Sequence, residues 1–141
     1  MGLKVEILRD WFRKPLNVPK FVCNYTFSQQ AAASILVTYT TPSDYDLHAD
    51  IILVRAAGTG GQTVVEVYAS VQTPSHPDPV YVCHAGTSGL ASFSAETKNH
   101  IIIQPNSIIR AAAAFSAGVS NNNVALNIHG FYIPRLEALS G

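Results

Sequence analysis

The stretch that decides the fold is His48-Ala49-Asp50-Ile51-Ile52-Leu53-Val54-Arg55-Ala56-Ala57, then Gly58-Thr59-Gly60-Gly61, then Gln62-Thr63-Val64-Val65-Glu66-Val67-Tyr68-Ala69-Ser70-Val71-Gln72. The second run alternates, with Val65, Val67, Ala69 and Val71 set against Glu66, Tyr68 and Ser70, the period of a half-buried strand. The first is denser in aliphatics, as expected of a central strand covered on both faces. The glycine cluster between them reads as a hairpin turn, because glycine accepts the positive φ such turns demand.

Working outward, the same period recurs. Phe21, Cys23, Tyr25 and Phe27 share one face of a strand; Ile35, Val37 and Tyr39 share a face of Ala33–Thr40, which stops at Thr41-Pro42-Ser43-Asp44. Thr73–Pro79 holds three prolines and reads as an irregular loop. Short strands are expected at Val80–His84 and Leu90–Ser94 around Gly86-Thr87-Ser88-Gly89. Others are expected at His100–Gln104 and Ser107–Phe115 around Pro105-Asn106, and at Val124–Ile133 after Asn121-Asn122-Asn123. Ala111–Ala114 puts small residues on both faces of one strand, so something must pack close to it. No stretch shows a helical stripe; single helical turns are conceivable at Gln29–Ala33 and Leu136–Leu139. About nine or ten strands at this spacing predict an all-β, antiparallel two-sheet sandwich, jelly-roll-like, with an extended N-terminal arm. The division is residues 1–20, an initial strand (Leu3, Val5, Ile7) and a basic, proline-kinked arm; 21–135, the sandwich; and 136–141, a short tail.

A chain of 141 residues can bury a core without a metal or disulfide. Only 13 % of it is charged, against about 25 % in an ordinary domain, and charged side chains are what normally keep a surface from associating. Burial of that surface in an assembly is therefore expected. Five basic residues (Lys4, Arg9, Arg13, Lys14, Lys20) oppose two acids in residues 1–20, while four oppose seven in the remainder. A basic arm on an acidic body lets copies attract one another; it makes a poor phosphate-binding stripe, so nucleic acid is not the expected partner. Met1–Glu6 lacks a secretory signal, Glu6 replaces the hydroxyl residue myristoylation needs, and no apolar run is long enough for a membrane-spanning helix. Cys23 and Cys83, each on a strand, are expected to be reduced and buried.

The chemistry-bearing residues do not assemble into a motif. His48, His76, His84, His100 and His129 stand singly, and His48 with Asp50 is the nearest approach to a ligand pair. Cys83 and His84 are adjacent and point to opposite faces of a strand. No nucleophile elbow or P-loop is present. No enzyme activity, metal or cofactor is expected. Tyr39, Tyr45, Tyr68 and Tyr81 offer an alternative, a carbohydrate-binding module that stacks on sugars. Docking elements are expected at Trp11-Phe12-Arg13-Lys14, an aromatic and charged cluster beside a proline, and at Arg135 near the other end.

With Pro105-Asn106-Ser107-Ile108-Ile109-Arg110-Ala111, a final Ile128-His129-Gly130-Phe131-Tyr132-Ile133-Pro134, and low charge rich in Ser, Thr, Asn and Ala, the chain resembles the small β-sandwich virion proteins of tailed bacteriophages, head-decoration or cement proteins and tail adaptors. The resemblance implies a virion protein made in the host cytoplasm. It would form homo-oligomers, trimers or rings, and bind a major capsid or tail/connector protein.

Overall fold

In the computed structural model, residues 20–97 and 99–135 are described, and they fold without a helix. The strands are β1 (Lys20–Gln30), β2 (Ser34–Thr40), β3 (Tyr45–Ala57), β4 (Val64–Thr73), β5 (His76–Leu90), β6 (Ser92–Thr97), β7 (Ile101–Ile103), β8 (Ile108–Phe115) and β9 (Asn122–Pro134). One sheet runs β1-β9-β3-β6, with β7 also on β3; the other runs β2-β8-β4-β5. Every pairing is antiparallel. The pairings are nested: β1 with β9, β2 with β8, β3 with β6 and β7, β4 with β5. The chain is thus one long hairpin closed at Pro74-Ser75 and rolled up so that β9 also meets β3 and β8 also meets β4. That is a jelly roll, and the expected sandwich is present.

Rolling brings one face of each sheet inward. Leu47, Ile52 and Val54 from β3, Leu126 and Ile128 from β9, Val67 and Ala69 from β4, and Ile35 and Ile109 from the flanking strands are buried in a single core. Each large aliphatic so buried stabilises the fold by about 1.5–3 kcal/mol relative to exposure. The close packing expected at the alanine run is found. Ala111 and Ala113 of β8 face the core between Val37 and Ile35 on one side and Ala69 and Val67 on the other. Ala112 points outward yet is buried, between Leu36 and Tyr68. Buried polar groups close the two ends. Asn122 Nδ2 donates to Ala32 O, Gln62 Oε1 and Ala117 O, while its Oδ1 accepts from Thr59 N. Thr41 Oγ1 donates to Gln104 O and accepts from Ser107 N.

Several local expectations are corrected. Gly58–Gly61 is not a hairpin turn: β3 and β4 lie in opposite sheets, and the glycines carry the chain across. Gly60 (φ 62°) and Gly61 (φ 82°) do adopt the left-handed conformation, which a crossing needs as much as a hairpin does. The segment 73–79 is not an irregular loop, since β5 already begins at His76. Pro77 and Pro79 are tolerated because β5 is an edge strand and the ladder slips between Val71 and Thr73. Gly86–Gly89 does not separate two short strands: Val80–His84 and the glycines all lie within β5, and the expected Leu90–Ser94 runs from the end of β5 into β6, which belongs to the other sheet. Pro105-Asn106 likewise links strands that do not pair, with Asn106 at φ 58°. Gln29 and Gln30 form no helical turn; they extend β1 opposite Asn123 and Asn122. The expected strand at Leu3–Ile7 and turn at Leu136–Leu139 lie outside the described residues.

Candidate interface on the outward face of the β1 sheet

In β1 the period of two is as expected, but the face it buries is the more polar one. Val22, Asn24, Thr26 and Ser28 sit opposite Gly130, Ile128, Leu126 and Val124, on the core side. Phe21, Cys23, Tyr25 and Phe27 point away from it. The three aromatics are 68 %, 62 % and 49 % exposed. Cys23, expected to be buried, is an exposed free thiol for this reason; Cys83 is also free but half-buried on β5. Burial pushes the Cys83 thiol pKa up.

The aromatic stripe does not stand alone. Phe131 of β9 lies opposite Phe21, their rings edge to face at 5.6 Å, and Tyr25 stacks on Phe27 at 6.3 Å. Next to β9, β3 presents Ile51 and Leu53, and beyond it β7 presents Ile102. Between Tyr25, Ile51, Leu53, Asn127 and His129 lies a shallow hollow of about 260 Å³ that extends to Arg55 and Glu96. The sequence implies that β3 is covered on both faces; among the described residues only its inner face is. Large apolar side chains gathered on one exposed sheet face are a feature of interaction surfaces.

Polar groups interrupt this surface, with Cys23 between Phe21 and Tyr25 and with Asn127 and His129 of β9 between β1 and β3. Cys23 Sγ lies 3.9 Å from His129 Nε2. At the β3 bulge, His100 Nδ1 is 2.9 Å from Asp50 Oδ1 and His100 Nε2 is 3.1 Å from His48 Nδ1. The carboxylate accepts from His100 Nδ1–H, leaving Nε2 of neutral His100 to accept from His48. His48 and Asp50 therefore do not converge on a common point; His100 stands between them. Among the described residues no group of three or more His, Cys, Asp or Glu is arranged to hold a metal. The sequence pairs His48 with Asp50 but does not show that His100 joins them, nor that β1 and β9 bring Cys23 to His129.

Of the expected docking residues, Trp11, Phe12, Arg13 and Lys14 lie outside the described residues. Arg135 is engaged within the chain, its Nε donating to Asp46 Oδ1 at 3.0 Å and its backbone N–H to Asp44 O. Of the four tyrosines, Tyr45 is buried and Tyr39 faces the core, where burial raises its phenol pKa; neither forms a surface platform. Tyr68 and Tyr81 do lie on the outward face of the other sheet. Their rings meet edge to face at 5.2 Å, beside His84, whose Nε2 is 3.1 Å from Glu66 Oε2.

No family model matches the chain. Nor does any curated protein sequence. Solved structures that resemble it include the Drosophila NLP core, described for pentamer formation and histone binding (13 % identity, TM-score 0.36, covering 74 % of this chain and 96 % of that one). Infectious bursal disease virus, Gt strain, is another (15 %, TM-score 0.40, 82 % of this chain and 33 % of that one). A third is a structure of carbohydrate-binding modules from the β-sandwich superfamily (10 %, TM-score 0.33, 76 % and 56 %). The chain spans about a third of the bursal disease virus chain it matches. At these identities and TM-scores the likenesses carry no argument about function.

Proposed function

We propose that the protein is a non-enzymatic structural subunit of a virion, cementing a capsid or adapting a tail, and that the outward face of the β1 sheet is its contact surface. The observation that carries this reading is the uncovered apolar face itself. Phe21, Tyr25, Phe27, Ile51, Ile102 and Phe131 all project from one side of one sheet. A low charge content over the whole chain points the same way, toward surfaces that spend their time against neighbours. The basic arm, with Trp11, Phe12, Arg13 and Lys14, would add electrostatic attraction for an acidic neighbouring body, and Arg135 is a secondary contact. Many weak copies of such a contact give a strong shell.

The test uses particles. In induced or infected cells the chain should sediment with virions, and Phe21→Ser/Tyr25→Ser/Phe27→Ser should move it to the soluble fraction while the purified variant keeps its β-sheet circular dichroism. A wild-type chain found wholly in the soluble fraction contradicts the proposal.

A second reading, glycan recognition, has its own observation in Tyr68, Tyr81, His84 and Glu66 on the opposite outward face. Tyr81 is 65 % exposed, and a carboxylate lies beside the rings, the pairing of stacking surface and hydrogen-bond acceptor that a sugar uses. Glycan-array binding abolished by Tyr81→Ala and by Tyr68→Ala supports it; an array with no binding removes it.

A further inference from the structure

The edges of the two sheets differ in how they meet solvent. β5 carries Pro77 and Pro79 and slips register three times against β4. β6 and β7 are short and interrupted, and β2 is seven residues long. These are the usual ways in which a sheet edge avoids pairing with another chain. β1 uses none of them. It runs eleven residues, pairs with β9 in unbroken register, contains no proline, and has no charged residue after Lys20. Among the described residues its far edge pairs with nothing.

We infer that this edge pairs with β1 of a second copy of the chain, antiparallel about a two-fold axis through Tyr25. The inference rests on reading this sheet as a contact surface and names the partner of its edge; edge pairing extends the sheet and leaves its outward face open to a further neighbour. In that register all eleven residues find a mate: Lys20 faces Gln30, Phe21 faces Gln29, Cys23 faces Phe27, and Tyr25 faces its own counterpart. No like charges meet, because the only charge is at one end and antiparallel pairing sends the two lysines to opposite ends. Shifting the register in either direction loses pairs, and a shift of the axis to lie between two residues would set outward side chains opposite inward ones. The pairing joins the two sheets into one and makes the aromatic stripes of both copies continuous.

Area sets the strength. A fully covered aromatic buries about 150–250 Å², so three aromatics between half and two-thirds exposed offer at most about 450 Å² per copy against the roughly 800 Å² of a standard interface. The backbone edge supplies more, and the contact is a reversible one that lattice geometry reinforces.

The test is register-specific cross-linking in a Cys23→Ser background, with that background itself as the control for Cys83. At the axis the two Tyr25 Cα atoms stand about 4.5–5.5 Å apart, within disulfide reach. Tyr25→Cys should therefore oxidise to a covalent dimer. Gln29→Cys should not, since its symmetry mate lies eight residues along the strand, but it should link to Phe21→Cys when the two variants are mixed. Equal linking of Tyr25→Cys and Gln29→Cys, or none by either, overturns the inference. So does an intrachain disulfide in a Val5→Cys/Tyr25→Cys double variant, which would assign the edge to the chain's own Leu3–Ile7 segment. If cross-linking fails while the triple serine variant still leaves the particle, only the edge pairing is wrong. If both fail, the reading of the face falls with it.

Discussion

β1 and β5 stand at the borders of their respective sheets, and they treat solvent in opposite ways. β5 is bent by three register shifts and broken by two exposed prolines, and its outward Tyr81 and His84 are tied into contacts with Tyr68 and Glu66. β1 keeps unbroken register and carries no charge after Lys20, and it turns its aromatic residues away from the core. A surface destined for water is normally given the β5 treatment. On the proposed reading, the two borders of this roll face different surroundings, β5 solvent and β1 another copy of the chain.

The largest expected effect comes from removing the support of β1. Its ladder partner is β9, and β9 passes so close to β3 at Gly130 that a Cβ there would overlap the His48 carbonyl oxygen. Gly130→Ala should cost more than about 3 kcal/mol in urea unfolding, since the obstruction is backbone and cannot rotate away. Gly86→Ala on β5 is the matched control. Its Cβ would meet only Val65 O at 3.8 Å, and it should change stability by less than about 1 kcal/mol. A comparable loss at both sites would break the comparison.

A smaller effect follows from giving β5 the character of β1. Pro77→Thr/Pro79→Thr should restore backbone donors to the β5 edge and produce a new, weaker self-association seen as a rise in weight-average mass. The register shifts remain in that variant, which is why the gain should fall short of what β1 supports. The smallest effect sharpens the contrast through the two thiols. At mild alkaline pH, Cys23 should be alkylated by iodoacetamide several-fold faster than Cys83, because Cys83 is half-buried and its raised pKa leaves it protonated at a pH where an ordinary thiol begins to ionise. Concentrating the protein should slow Cys23 alone; equal protection of both thiols would count against an interface at β1.

How much of this was legible in the sequence depends on the range of the interaction. Strand positions were, because alternation is local: Ile35 and Val37, or Val67 and Ala69, reach the core as their spacing predicts. Strand order was not. Cys23 and His129 are neighbours across 106 positions of sequence, and nothing local reports that β1 and β9 pair or that Gly58–Gly61 crosses between sheets. The period of β1 was readable while its direction was not. Phe, Tyr and Phe on one face argue for the core, and only the neighbours Ile128, Leu126 and Val124 select Asn24, Thr26 and Ser28 instead. The candidate interface was legible only in outline. Low charge and an aliphatic β3 pointed to a covered surface, but the docking residues singled out, Trp11 to Lys14, lie outside the described residues, and Arg135 pairs with Asp46.

The central claim is that the aromatic border at β1 is a contact between copies, and the solution mass tests it most directly. Light scattering coupled to size exclusion, over a range of concentrations, should show the wild-type chain rising from its own mass toward twice that value. Tyr25→Lys, which would set two like charges opposite each other at the axis, should stay at one chain mass with unchanged circular dichroism. A wild-type chain that remains at one chain mass at every concentration, or a Tyr25→Lys variant that associates as the wild type does, would contradict it.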